Sequence, residues 1–547
     1  MRARKGGGSG GRREHRLADV RLSTGRHAAL VAAGIFLSRI AGLMRQRVFA
    51  HYFGQSDPGD AFNAAFKIPN LLQNLFGEGV LSASFIPVYS RLLAQGMHQE
   101  ARRLAGVVAT LLALVTSVLV TAGVLATPFL VEWIAPGFTG EKRELTIILV
   151  RIVFPGTGLL VLSAWCLGIL NSHRQFFVSY TAPVLWSVVM IAAMAWYGAS
   201  VELPRLAIVI AWASVFGAAL QLAIQLPFVW KLARGVRPSL TRSEDAAVVV
   251  RNFVPVFIGR GVVQISSYID SILASFLPSG AVTALANAQT LYTLPVSLFG
   301  MAVSAAELPA MSSMVGDDEQ VAEYLRGRLS SGLRRIAFFI VPSSAAFLVF
   351  GDVIAAALYQ TGRFSRADAI WVWGILAGSA LGLLAVTFGR LYASTFYALR
   401  DTRTPLRYAI VHVVLATVLG YFFALPLPAM LGIDAKWGAA GLTLSAGIAG
   451  WVELVLLRRA LAQRVGRVQL PRALMLRLFA AAVAGAAAGW LVRSALVTEL
   501  HPVLVAGAVL APYAAVYLLS TWLLGIEESR SLTATMLRRA GIKGGKT

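Results

Sequence analysis

The first two apolar stretches of the chain carry Arg39, Arg45 and Arg47, then Asp60, Lys67 and Glu78. Ionised groups are costly in hydrocarbon, and by default they mark a pathway, a ligand site or a buried pair. A guanidinium offers a planar fork of N–H donors that matches carboxylate or phosphate oxygens, which makes Arg39 and Arg45 candidates for holding an anion. Six residues apart, they point about 120° from one another around a helix, so they suit a broad cavity rather than one narrow site. For Arg45, Arg47 and Asp60, snorkelling or anchoring at a membrane interface is the competing reading. In the second half of the chain the equivalents are Arg260, Asp270 and Glu307. Arg260 and Asp270 are about 15 Å apart along a helix and are not expected to pair. Arg151, Arg390 and Glu453 are read as structural charges between lobes or at interfaces.

Two elements interrupt the second apolar stretch. Ile68-Pro69-Asn70 removes a backbone donor, and Gly77-Glu78-Gly79 relaxes the helical preference. A helix bent beside a charged cavity can act as a gate, so Lys67, Pro69, Gly77, Glu78 and Gly79 join Asp60 as gating candidates. Packing alone is the alternative, as for Gly485-x-x-x-Gly489.

Catalytic patterns are absent or spurious. Gly7-Gly8-Ser9-Gly10-Gly11 has the spacing of a nucleophile elbow without a strand or helix around it. Gly545-Lys546-Thr547 has Ala540 where a phosphate-binding loop needs glycine. The seven histidines are scattered and form no metal-ligand pattern. The one cysteine, Cys166, cannot form an intrachain disulfide and reads as a small core residue.

The elements that carry these residues are dictated by composition. With 57% hydrophobic and 14% charged residues and a mean hydropathy of +0.69, the chain is far more apolar than a soluble protein. Backbone polar groups in hydrocarbon must be satisfied internally, as in a helix. Stretches long enough to span number about 14: 27–50, 60–92, 104–134, 145–171, 176–198, 203–231, 248–277, 281–312, 331–360, 368–398, 405–428, 436–460, 474–495 and 502–525. The expected fold is an all-α polytopic membrane protein.

A net charge of +23 raises the question of nucleic acid, but the charges sit between the apolar runs. Lys and Arg accumulate in every second loop, which places those loops on the cytoplasmic side. Both termini are expected there, in a bacterial inner membrane, with 135–144 on the periplasmic side.

An internal repeat orders the chain. Phe36-Leu37-Ser38-Arg39 recurs as Phe257-Ile258-Gly259-Arg260, 221 residues on. Leu75-Phe76-Gly77 and Pro87-x-x-Ser90 recur as Leu298-Phe299-Gly300 and Pro309-x-x-Ser312, and Gly137-Phe138 is matched by Gly362-Arg363-Phe364. The expected organisation is a basic tail at 1–26, a six-helix lobe at 27–231, a linker at 232–247, a second six-helix lobe at 248–462, a helix pair at 471–525 and a basic tail at 526–547. Parallel repeats of this kind place substrate between the lobes.

At this point the sequence resembles the lipid II flippase family of the MOP exporter superfamily. The residues that carry the resemblance are Ser38-Arg39-Ile40-Ala41-Gly42-Leu43-Met44-Arg45, Asp60-Ala61-Phe62, Ala65-Phe66-Lys67-Ile68-Pro69-Asn70-Leu71-Leu72, Phe76-Gly77-Glu78-Gly79-Val80 and Ala398-Leu399-Arg400-Asp401-Thr402-Arg403-Thr404-Pro405. The resemblance implies export of a polyprenyl-pyrophosphate-linked peptidoglycan precursor by alternating access. It further implies that Arg39 and Arg45, with Asn70, contact the anionic headgroup while Asp60 and Glu78 support conformational change. Where family members often carry arginines, this chain has Gln73-Asn74 and Gln289-Thr290, and Arg260 is the expected compensating cation. Lipid II and membrane lipids are the expected partners, with the cell-wall synthesis machinery as a further one. No nucleic acid, metal or cofactor is implied, and no pattern specifies a coupling cation. The competing readings are a flippase for another polyprenyl-linked glycan or a multidrug antiporter of the same superfamily, and, from another class, a membrane-embedded glycosyltransferase or scaffold.

Overall fold

The computed structural model describes residue 34 and residues 36–532 apart from 242, 315, 469 and 497–499, and the side chains of 78, 79, 254–256 and 258–267 lie outside the description. The expected tail at 1–26 and most of that at 526–547 therefore fall outside the described residues. Residues 527–532 are helical, and Glu527 and Glu528 bind Arg334 at 2.8 and 2.9 Å.

The second apolar run shows how sequence breaks a helix. After helix α1, residues 36–53, it forms four short helices: α2 (Asp57–Ala65), α3 (Lys67–Phe76), α4 (Glu78–Ser84) and α5 (Ile86–Ala94). The break at Phe66 lies ahead of Pro69, whose ring excludes the carbonyl four residues earlier and supplies no N–H. At Gly77 the backbone turns extended, and a Cβ there would lie 2.2 Å from the Gln73 carbonyl oxygen. The break at Phe85 precedes Pro87, which sits in the first turn of α5, where its missing donor costs nothing.

Long helices follow: α6 (His98–Leu125), α7 (Thr127–Ile134), α8 (Gly140–Ser172), α9 (Phe176–Tyr197), α10 (Leu203–Leu232) and α11 (Glu244–Ala274). Next come α12 (Ala281–Pro295), a π-helical turn at Val296–Met301, and α13 (Ala302–Ser312). The chain continues through α14 (Asp318–Tyr359), α15 (Arg366–Ala398), α16 (Arg403–Ala424), α17 (Pro426–Leu431), α18 (Gly438–Val465), α19 (Arg472–Ala495) and α20 (Pro502–Leu523). Among the described residues there is no strand.

Eleven helical segments are long and apolar enough to cross a membrane among the described residues. The expected count of about 14 is not reached by that measure. The first expected span begins outside the described residues, and the second is divided as above. Helix α11 carries Glu244, Asp245, Arg251, Arg260 and Asp270 and does not qualify.

Two compact units are distinguished by which residues pack together. The first holds the described residues up to Phe49, with Ala64–Ile134 and Thr139–Ile265. Its core joins α3–α6 to α8 and α10 through Phe76, Leu81, Tyr89, Leu104, Cys166 and Val229. The second holds Ala50–Asn63, Ala135–Phe138 and everything described from Ser266 onward, the helix pair of 471–525 included. Within it, α15 packs on α14 and α18, and α18 on α16. Two glycines let α15 and α18 cross closely, since a Cβ on Gly382 would stand 2.3 Å from the Gly447 Cα.

The terminal pair is fixed to α14. Pro342 cannot donate to the Phe338 carbonyl as a helix residue would, and the Tyr517 hydroxyl donates to that carbonyl at 2.6 Å. Tyr513 donates to the Pro342 carbonyl at 2.5 Å. Arg493 meets the buried Asp352 with both terminal nitrogens, at 3.0 and 2.6 Å.

Candidate functional site

In the first unit the candidate arginines part company, as their spacing requires. Arg39 is exposed, and among the described residues it has no hydrogen bond or ion pair. Arg45 is half-buried, with its guanidinium carbon 4.3 Å from the centre of the Trp186 ring and Nη1 3.9 Å from the Met190 sulfur. A cation over an indole face is held by the ring's quadrupole. Trp186 is itself fixed, since its Nε1 donates to the Ser214 carbonyl on α10 at 2.9 Å.

The same indole meets Phe66 at the first break of the second apolar run, with ring centres 6.4 Å apart. Trp186 thus joins Arg45 of α1 to the start of α3. Beyond Phe66, Lys67 is half-buried and engaged, Pro69 is buried and Asn70 is exposed. At the far end of α3, Phe76 packs against Phe253 and Phe257 of α11, with ring centres 5.7 and 5.2 Å away, where Gly77 ends the helix. The side chains of Glu78, Gly79 and Arg260 lie outside the described residues. What the described part offers is one unpaired guanidinium and one over an aromatic face. Both are suited to a phosphate or carboxylate group.

In the second unit Asp60 is buried and acts as an acceptor for the start of α12. Its carboxylate accepts the Gly280 N–H, the Thr283 N–H and the Thr283 hydroxyl, each at 2.8 Å. A carboxylate at a helix N-terminus satisfies orphan donors and complements the positive end of the dipole. Asn63 adds a hydrogen bond to the Thr283 hydroxyl at 3.3 Å. Asp60 is therefore no interfacial anchor in this state. Thr290 donates to the Ala286 carbonyl, whereas Gln289 beside it is exposed.

Several other charges turn out to be paired. Glu307 is buried and lies 2.6 Å from Arg328 and 3.6 Å from Arg335. Glu453 lies 2.8 Å from His412 on α16. Arg151 and Arg390 are exposed.

With that arrangement in view, a family model described as lipid II flippase MurJ matches residues 49–537. The chain belongs to the lipid II flippase MurJ family. The lipid II flippase MurJ of Burkholderia cenocepacia is 32% identical over 445 residues, which is 80% of this chain and 84% of that protein. The probable lipid II flippase MurJ of Rhizobium meliloti is 30% identical over 456 residues, 81% of each. A solved lipid II flippase MurJ in an inward closed conformation shares the fold with a TM-score of 0.75, covering 94% of this chain and 99% of that one at 22% identity. An inward-facing multidrug resistance MATE family transporter of the MOP superfamily follows at a TM-score of 0.64, covering 77% and 95% at 16% identity. Membership of the MurJ family fits the all-helical, multi-pass membrane fold expected from the sequence.

Trp186 and Thr283 were not singled out in the sequence. Trp186 is one of the 12 tryptophans in the chain and sits in an unremarkable apolar run. Thr283 lies 223 residues after Asp60, close to the repeat offset, and that was the available signal.

Proposed function

We propose that this chain is a lipid II flippase, moving the polyprenyl-pyrophosphate-linked precursor from the cytoplasmic to the periplasmic leaflet by alternating access. The observation that carries the reading is the family match across residues 49–537. The exposed Arg39 and the Trp186-held Arg45 support it, because a pyrophosphate needs directed cationic donors where water is scarce. Arg39, Arg45 and Asn70 bind the headgroup in this reading, and Arg260 adds charge from the repeat-related position.

Asp60 with its α12 partners, together with Lys67, Pro69, Gly77, Glu78 and Gly79, forms the moving part. The breaks in the second apolar run let α3 and α4 re-aim without unfolding, while the Asp60 carboxylate makes and breaks its hydrogen bonds to α12. The chain acts as a transporter with no covalent step. Its basic ends face the cytoplasm, both termini among them, and the cell-wall synthesis machinery takes its product.

The test is rescue of a bacterium depleted of its own lipid II flippase. Growth with cell-wall precursor reaching the outer leaflet is the expected result. Failure of a well-expressed, correctly inserted chain to rescue would point to a different polyprenyl-linked cargo.

A further inference from the structure

Toward its end α18 carries Arg458 and Arg459, and Arg467 follows in the loop beyond. All three line a cavity of about 370 Å³, against about 30 Å³ for the share of one water. Among the described residues none of the three has an ion pair or hydrogen bond, and no carboxylate lines the cavity. The two nearby acids are already engaged. Asp401 lies 2.8 Å from Arg464, and Glu453 2.8 Å from His412.

Tyr392 of α15 also lines the cavity; it is only 4% exposed, and its hydroxyl has no partner among the described residues. A phenol hydroxyl with no protein partner is free to donate to an acceptor in the cavity. The rest of the wall is apolar, from Val455, Leu461 and Val468. From Gly438 to Arg458 the helix rises about 30 Å, which is about the thickness of the hydrocarbon core. The guanidiniums therefore stand at headgroup depth with an apolar wall beside them. Basic pockets between membrane helices at that depth suit anionic lipid headgroups.

We infer that this cavity binds the phosphate of an anionic membrane phospholipid, with Arg458, Arg459 and Arg467 around the phosphate oxygens, the Tyr392 hydroxyl donating to one of them, and the acyl chains leaving along the apolar wall. The site is separate from the arginines of α1 and does not depend on the cargo that is transported.

The experiment titrates the purified full chain in neutral detergent with phosphatidylglycerol, phosphatidylcholine and inorganic phosphate, counting retained lipids by native mass spectrometry. Wild type is expected to hold one phosphatidylglycerol at least tenfold tighter than phosphatidylcholine, with millimolar phosphate failing to displace it. Each of Arg458→Gln, Arg459→Gln and Arg467→Gln weakens that lipid about fivefold, in line with the attraction of one basic side chain for an anionic surface. The triple variant abolishes the preference. Arg103→Gln, an exposed arginine on α6, leaves it unchanged. Ala462→Trp fills the cavity without touching its charge and also expels the lipid. Retention of the preference by both the triple variant and Ala462→Trp would overturn the inference, and displacement by phosphate alone would make the occupant a soluble anion.

Discussion

Arg174 and Arg400 share a left-handed backbone at φ 59°, the two non-glycine residues with positive φ among those described. They are 226 residues apart, the separation of Phe138 and Phe364 in the internal repeat. The hydrogen bonds repeat too: Arg174 N–H reaches the Asn171 carbonyl and Gln175 N–H that of Leu170, as Arg400 N–H reaches Tyr397 and Asp401 N–H reaches Phe396. Each turn closes a long helix by satisfying its last carbonyls.

A non-glycine residue there bears about 1–2 kcal/mol of backbone strain. Arg400→Gly should therefore melt no lower than wild type, whereas the β-branched Arg400→Val should lose about 1–2 kcal/mol. A glycine variant that melts several degrees lower would show that the guanidinium itself stabilises this turn.

Arg45 and Trp186 should act as one unit. Arg45→Ala is expected to abolish rescue of a flippase-depleted strain at normal membrane levels. Arg45→Lys should rescue in part, since a point charge lacks the planar fork. Trp186→Leu keeps the volume apolar but removes the ring face, and should lower transport roughly tenfold. Full activity in the leucine variant would separate the ring from the arginine's task.

Asp60 supports the start of α12 as an acceptor of three hydrogen bonds. Asp60→Asn sets an amide N–H₂ against backbone N–H groups, so a buried donor loses its partner at a cost of about 1–3 kcal/mol. Thr283→Val removes only the hydroxyl, and should cost about 1 kcal/mol. Thermal melting of the purified protein would rank the two, and an asparagine variant as stable as the valine one would contradict the acceptor role.

Asp401 lies in the loop between two spans, where the Thr404 hydroxyl and backbone N–H hold its carboxyl below the usual carboxylate range, with Arg464 and the Arg403 N–H adding to the effect. A carboxyl whose folded value is depressed contributes stability above its ordinary value, and that contribution is lost as the pH falls through the folded value. Melting temperature should therefore fall on acidification below about pH 4, and Asp401→Asn should flatten that part of the curve. An unchanged acid limb in the asparagine variant would assign the loss to other carboxylates.

How much of this was legible in the sequence depends on the distance over which each feature is decided. Pro69 and Gly77 break the second apolar run through their own backbone chemistry, so those two interruptions were visible, though the third ahead of Pro87 and the division into four separate helices were not. The divergence of Arg39 from Arg45 followed from helical geometry alone. The partners were not visible: Trp186 over Arg45, the start of α12 around Asp60 and Arg328 beside Glu307 are each fixed by tertiary packing. Glu307, a candidate for either a pathway or a pair, is buried and paired with the more exposed Arg328, a choice left open because local sequence does not say which residue of the next helix will face it.

The last prediction concerns Pro342 and Tyr517, whose relationship also escaped the sequence. Pro342 leaves the Phe338 carbonyl without its helical donor, and the Tyr517 hydroxyl supplies one at 2.6 Å. Tyr517→Phe should cost about 1–2 kcal/mol, because a carbonyl is left unsatisfied within the membrane region. Pro342→Ala restores an N–H that can bond that carbonyl, so Tyr517→Phe should cost far less in the alanine background. The difference between the two costs is the coupling energy of a double-mutant cycle. Two independent costs that simply add would mean that the tyrosine anchors α20 to α14 by packing, and that the carbonyl finds water or another donor.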